Sequence, residues 1–363
     1  MPPSTLPHSI LPSGLGMTLF LFSWIMFIHI VHSLSLSSSS IMKQQEQQEQ
    51  QEHVIPQEVS QIRFSLHEKK SSTPFLPILL MHGVTADNGS MSTLENFIRQ
   101  VAPPGTFITS VNSENTVQSL LKPMTEQIAD FANKVNELKQ RIGFSEFHLI
   151  CHSQGGLLCR SYIQLTKNHG VKVFISLSGV QNGEFGIPQP TNSVLELLHQ
   201  EFPWLWNMTK EEVYRVFYTD FFQKTLSVAN YWKDPYHYLE YRLYNQFLTI
   251  VNNDSLTTDY ARLYNFRENV LQIDKMILTG SPQDEVIHPY FSAFFGFYKL
   301  DINTMQLQIS PMQEQDVYVR DVFGLKTLDM QKRLIIESVP NVLHMQWVER
   351  RDLFEKYILP YLY

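Results

Sequence analysis

The chain has 363 residues, with 28 Lys and Arg against 35 Asp and Glu, a net charge of −7. Only 17% of residues are charged, below the roughly 25% of an ordinary soluble domain, while 43% are hydrophobic and 12% aromatic. The apolar fraction excludes disorder over most of the chain, two cysteines exclude a disulfide scaffold, and the acidic excess argues against nucleic acid as a partner.

Residues 15–31 (LGMTLFLFSWIMFIHIV) form the one long apolar run, which argues against a polytopic membrane protein. The run is slightly long for a signal-peptide core and slightly short for a spanning helix. Small residues follow in SLSLSSSS (33–40), and no Lys or Arg precedes it; the first is Lys43. Residues 1–36 therefore read as a signal peptide or a signal anchor, and either reading places the remainder in a lumen or outside the cell. QQEQQEQQE (44–52) cannot bury a core, so 37–73 reads as a polar tether. The folded domain is expected over 74–363. Sequons at Asn88, Asn207 and Asn253 are glycosylation candidates in such a compartment.

From residue 76 onward strands and helices alternate. LPILLM (76–81) reads as a buried strand, 92–101 as a helix with Leu94, Phe97, Ile98 and Val101 on one face, and 106–111 as a strand. A long helix is expected over 123–142, with Pro123 in its first turn and Gly143 beyond its end. FHLIC (147–151), a helix over 154–167, and VKVFISL (171–177) continue the series. This order predicts an α/β fold with a mostly parallel sheet covered on both faces. The alternation stops between about 179 and 270, where aromatic helical patches such as 194–205 and 213–226 predict an inserted helical cap. It resumes at IDKMILT (273–279) and ends with short units at 317–319 and 334–339 and a helix over 346–358.

Cys151-His152-Ser153-Gln154-Gly155 lies between a buried strand and a helix. That is the setting of a nucleophile elbow, a sharp turn that needs small residues two positions either side of the serine. Ser153 is the candidate nucleophile. The backbone N–H of Gln154, at a helix N-terminus, and that of Val84, in the loop after 76–81, are the candidate oxyanion donors. His82 reads as a structural histidine. The acid should follow a strand, and Asp284 does, with Glu285 as the fallback and Asp301 and Asp316 as competitors. The base should follow the last strand, which selects His344 over His288. Cys151 and Cys159 are compatible with a disulfide or with two buried thiols. No metal-ligand spacing is present, and neither a metal nor another cofactor is expected.

At HLICHSQGGLLCR (148–160), FISLSG (174–179), ANYWKDP (229–235), QDEVIHPYFSAFFGFY (283–298) and VYVRDVFGLKTL (317–328) the chain resembles the lysosomal palmitoyl-protein thioesterases, the second type more than the first. The resemblance spans roughly 75–362. It implies an α/β-hydrolase with a helical insertion forming a lipid groove, and hydrolysis of long-chain fatty acyl thioesters through an acyl-enzyme, without cofactor. Carried over residue by residue, it puts the nucleophile on Ser153, the acid on Asp284 and the base on His344. It also favours a bond between Cys151 and Cys159. The lysosome lumen is the implied compartment, or secretion, with contact to lipid or a membrane surface as a transient partner. The segment 341–344 matches the family loosely, as does the loop 85–90.

Two other readings use the same residues. A lipase or phospholipase would direct the triad at oxygen esters, and a silent relative would bind lipid without turnover. Residues 201–250 hold 15 of the 45 aromatic residues, so the aromatic excess belongs largely to the expected cap. There it serves a local core, an acyl groove, or both.

Overall fold

The computed structural model describes residues 75–111, 115–186 and 208–363. The apolar run, the tether, Asn207 and the patch 194–205 lie outside the described residues. Six strands make one parallel sheet: β1 (Ile78–Met81), β2 (Ile108–Ser110), β3 (Phe147–His152), β4 (Val171–Leu177), β5 (Lys275–Gly280) and, last in the chain, Leu334–Ser338. An antiparallel hairpin, β6 (Phe297–Asp301) and β7 (Gln306–Ser310), stands apart, so the last sheet strand is β8. The sheet order is β2-β1-β3-β4-β5-β8. This is the α/β fold with a parallel sheet that the alternation of elements implied, and it agrees with the α/β-hydrolase fold that the resemblance implied.

The near-continuous apolar strands are explained by burial on both faces. Successive residues point to opposite sides. Leu79, Met81, Leu149, Cys151, Phe174 and Met276 belong to one core. Ile78, Leu80, Ile150, Val173, Ile175 and Ile277 belong to the other. The second core is closed by α1 (Ser92–Val101), which buries Leu94 and Ile98 near the C-terminal helices. After the short α2 (Gln118–Leu121), α3 (Met124–Ile142) buries Ile128, Phe131, Val135 and Leu138 along one stripe of the first core. Pro123 caps α3 from outside its first turn, and Gly143 ends it at φ 84. The fourth helix, α4 (Gln154–Leu165), buries nearly every residue beneath the cap region.

Between β4 and β5 the described residues hold only short helices and one bridge, Glu184 to Trp232. Half of the twelve described aromatics over 208–250 are buried and join the first core: Phe217, Tyr218, Tyr231, Trp232, Tyr241 and Phe247, with Trp232 against Phe185 and Phe217. Arg160 of α4 ties this region down. Its guanidinium is fully buried, donates to Gln164, to the carbonyls of Gln181 and Val251 and to Asn252, and lies over the rings of Phe295 and Phe323.

Three expectations need correction. Residues 317–319 belong to a helical turn, Asp316–Val319, because Gln315 starts an i to i+4 bond to Val319 that a three-residue apolar run cannot resist. The terminal helix breaks at Arg350, which is extended between Gln346–Glu349 and Arg351–Tyr357. The β6–β7 hairpin was absent from the sequence reading. Its turn is signalled by Asp301, whose carboxylate accepts from the N–H groups of Asn303 and Thr304.

A side chain at Gly155 would place its Cβ 2.3 Å from the carbonyl oxygen of His82 and 2.9 Å from that of Met81. These are backbone atoms at the end of β1 and cannot swing aside. Gly155→Ala is expected to cost at least roughly 2 kcal/mol, or to prevent folding, measured by urea denaturation. A wild-type midpoint would show that the helix and strand are not in this contact.

Candidate active site

The sheet order reverses between β1 and β3, and in open α/β sheets ligands bind beyond the carboxyl ends of the strands at such a point. Ser153 stands there, at the end of β3, with φ 55 and ψ −130. A non-glycine residue in that conformation is strained and must be held. Its N–H donates to Leu177 of β4 at 3.0 Å, and its carbonyl accepts from Gly156 at 2.9 Å. A disulfide joins Cys151 to Cys159 across the turn. Gly83 lies so close that a Cβ there would come within 2.7 Å of the Ser153 Cβ and 3.1 Å of its Oγ.

The two candidate oxyanion donors flank Ser153 in different segments. Gln154 opens α4, and Val84 directly follows Gly83. Both segments are tied to Ser119 of α2. The Ser119 Oγ accepts from Thr85 N–H at 2.8 Å, and its carbonyl accepts from the Gln154 amide at 2.8 Å and from Ser227 Oγ at 2.9 Å. Ser119 was not singled out from the sequence, because a serine in a short polar helix carries no motif.

Asp284 lies in the loop after β5, and His344 lies in the loop after β8. The His344 Nδ1 is 2.9 Å from Oδ2 and 3.1 Å from Oδ1 of Asp284, and both side chains are buried. An ionised carboxylate only accepts, so Nδ1 carries the proton and Nε2 is left with a free lone pair. Asp284 is fixed by Ser178 Oγ, which donates to Oδ2, and by the N–H groups of Val286 and Ile287, each 2.9 Å from Oδ1. Burial raises its pKa; the hydrogen bond and charge of His344, the Ser178 hydroxyl and the Ile287 N–H outweigh burial and bring it down to about 2. Ser178 was not singled out either; its positive φ and its bond to Asp284 emerge only in the structure.

The rival residues fall elsewhere. His288 is exposed, and its backbone N–H donates to the buried Glu184. Glu285 is exposed and accepts the backbone N–H of His344 at 3.0 Å. His82 is buried, with Nδ1 2.8 Å from the Gly83 carbonyl. Asp301 serves the hairpin turn, and Asp316 begins a helix. His152 is buried beside His344, with ring centroids 4.6 Å apart and its Nε2 3.0 Å from the His344 carbonyl. Among the described residues no group of three or more His, Cys, Asp or Glu could hold a metal ion, and no helix is long and apolar enough to cross a membrane.

Two outcomes follow from these placements. Asp284 has a folded pKa below its ordinary 3.8, so the stability it contributes is present above that value and is lost as pH falls through about 2. Asp284→Asn should flatten the acid-unfolding profile between about pH 4 and 2, monitored by tryptophan fluorescence; a profile identical to the wild type would refute this. Asn253 is buried, its amide nitrogen donates to Asp259 at 3.0 Å and its oxygen accepts from Ala261 N–H at 3.0 Å. A glycan on that nitrogen would have to displace the bond to Asp259 and open a buried side chain. Peptide mapping of protein made in a secretory host should find Asn253 bare, and a fully occupied Asn253 in folded protein would contradict the packing.

The family model described as palmitoyl protein thioesterase matches residues 77–344. Lysosomal thioesterase PPT2-B of Xenopus laevis is 34% identical over 292 residues, covering 80% of this chain and 94% of that protein. Lysosomal thioesterase PPT2 of Homo sapiens is 34% identical over 288 residues, covering 79% and 88%. Palmitoyl-protein thioesterase 3 of Dictyostelium discoideum is 32% identical over 290 residues, covering 79% and 92%. The match takes in both ends of the site, from β1 to His344, and the chain belongs to the palmitoyl protein thioesterase family and is a thioester hydrolase.

Proposed function

We propose that Ser153, His344 and Asp284 are the catalytic triad of a serine hydrolase that cleaves long-chain fatty acyl thioesters. Ser153 Oγ attacks the thioester carbonyl while Nε2 of His344 takes its proton. Asp284 orients the ring and stabilises the imidazolium that forms. The carbonyl oxygen, now negative, is met by the N–H groups of Gln154 and Val84. The Gln154 donor adds the positive end of α4. The tetrahedral adduct collapses, the C–S bond breaks, and the departing thiolate takes the proton from His344, which leaves the base neutral again. Water, deprotonated by His344, then attacks the acyl-serine; the bond from the acyl carbon to Ser153 Oγ breaks, His344 returns the proton to Oγ, and the fatty acid is released. Thiolates leave readily, so the base need do less for the leaving group than in amide hydrolysis.

The observation that carries this reading is the His344–Asp284 pair, 2.9 Å apart, buried, and on the same sheet end as the strained Ser153. The pairing fixes the tautomer that general-base catalysis needs. The match of β1 through His344 to the thioesterase family supports the substrate class. The relatives named lysosomal support a lysosomal lumen, reached by way of the N-terminal segment acting as a signal. On this reading residues 1–36 address the chain, 37–73 tether it, and 74–363 are the hydrolase with its cap at about 179–270. Asn88, in the turn after β1, is the preferred glycan acceptor.

The test is parallel hydrolysis of palmitoyl-CoA, an S-palmitoylated peptide and p-nitrophenyl palmitate, with fluorophosphonate labelling. The wild type should label and should prefer a thioester. Ser153→Ala should abolish labelling, and His344→Ala should lower kcat by at least about 10³-fold, as for triad members that act as a unit. A large preference for the oxygen ester would turn the reading to a lipase. Loss of activity in His288→Ala with His344→Ala active would overturn the base assignment.

A further inference from the structure

We infer that His152, the residue before the nucleophile, is a positioning residue that holds the backbone of His344 in register with Ser153. The inference rests on His344 being the base. A general base must keep Nε2 within hydrogen-bond reach of the nucleophile, and a misplacement of about 1 Å can cost about a hundredfold in rate. Asp284 fixes the far side of the His344 ring. The near side follows wherever the His344 backbone goes, and that backbone lies in a loop between β8 and Gln346–Glu349, outside any ladder.

Two side chains hold the backbone of His344, one on each of its flanking peptide groups. The carboxylate of Glu285 accepts the His344 N–H at 3.0 Å, and the Nε2 of His152 donates to the His344 carbonyl at 3.0 Å. Glu285 adjoins Asp284 in the chain, and His152 adjoins Ser153. The base is thus gripped by a sequence neighbour of each of its two proposed partners, so displacement of either partner element moves the grip with it. The two bonds differ in strength. Glu285 is exposed, and water competes for its carboxylate, whereas His152 is buried and stands at the end of the fully buried β3. His152 therefore supplies the firmer restraint.

The charge state of His152 suits the role. The groups that face it are His344, Asp284 and His82. Burial, then the neighbouring His344, depresses its pKa to about 3, against the hydrogen bond to the His344 carbonyl and the charge of Asp284. It stays neutral at working pH. A cation there, 4.6 Å between ring centres, would repel the imidazolium that His344 becomes during turnover. The carbonyl of His344 accepts, so the His152 proton sits on Nε2.

Steady-state hydrolysis of palmitoyl-CoA by the full chain tests this with His152→Phe and His152→Gln. Phe keeps a ring but loses the donor, and Gln places an amide N–H near the position of Nε2. His152→Phe should lower kcat roughly tenfold to a hundredfold with KM within about twofold and the melting temperature nearly unchanged, and His152→Gln should recover to within about threefold of wild type. A wild-type kcat in His152→Phe would overturn the inference. Equal losses in Phe and Gln would overturn it too, by assigning the effect to ring packing. Should His152→Phe fail to fold, His152→Asn replaces it, because its amide reaches only the position of Nδ1 and should be impaired; activity equal to the Gln variant would sink the idea. His344→Ala run alongside separates the two assignments. If it abolishes turnover while His152→Phe does not, only the positioning role fails; if it leaves turnover intact, the base assignment fails and takes the positioning role with it.

Discussion

Ser153 sits at φ 55 because the chain must leave β3 and enter α4 within a single residue, and that turn fits only where three glycines clear the space around it. Gly155 passes beneath the carbonyls of Met81 and His82. Gly156 meets Ser176 and Gly179, and Gly83 abuts the serine itself. Each contact comes from a different segment, so the ends of β1, β3 and β4 converge on one point. The backbone strain is offset by bonds around the turn, among them Ser153 N–H to Leu177 and the Cys151–Cys159 link. With the turn fixed, α4 begins directly after Ser153, and Gly83, which precedes Val84, is held against the serine.

The other half of the site is assembled from loops. Side chains of one loop accept backbone N–H groups of the other: Ser281 from Val342 at 3.3 Å, Gln283 from Asn341 at 2.6 Å and Glu285 from His344 at 3.0 Å. These bonds join two irregular segments, and the pairing places Asp284 opposite His344. Loops whose backbone groups are satisfied in this way pay little desolvation when buried.

What the sequence made legible follows the strength of each local signal. Strands buried on both faces announce themselves as short apolar runs between turn residues, and 171–177 and 92–101 were read to the residue because nothing in their surroundings overrides the pattern. Ser153 and Gln154 were legible because an elbow requires a particular spacing of small residues. Asp284 and His344 were placed by chain order, since each had to follow a strand. Ser119 and Ser178 were not singled out, because their hydrogen bonds reach residues far away in the chain and no periodicity records that; the same holds for the role proposed for His152. The hairpin at 297–310 was hidden by its exposed, mixed faces, where Ile302 and Ile309 face solvent and the alternation of a half-buried strand is lost.

The helical region between β4 and β5 and the turn at Ser153 share α4 as a strut. Gln154 begins the helix, and Arg160, six positions on, anchors the cap through Val251, Asn252 and the Gln181 carbonyl. At 1.5 Å per residue the two ends of this arrangement are about 9 Å apart along one rigid axis. Arg160 is too deeply buried to be solvated if it lets go. Removing its partners would strand a charge, so the cap cannot drift from α4 without a large penalty. Ser227, bonded to the Ser119 carbonyl beside Gln154, gives a second tie at the other end. On the proposed assignment, an acyl chain held by the cap is held at a fixed distance from the oxyanion donors. Binding energy gained along the chain can then be used to orient the thioester carbonyl, which matters more than acid assistance when the leaving group is already a good one.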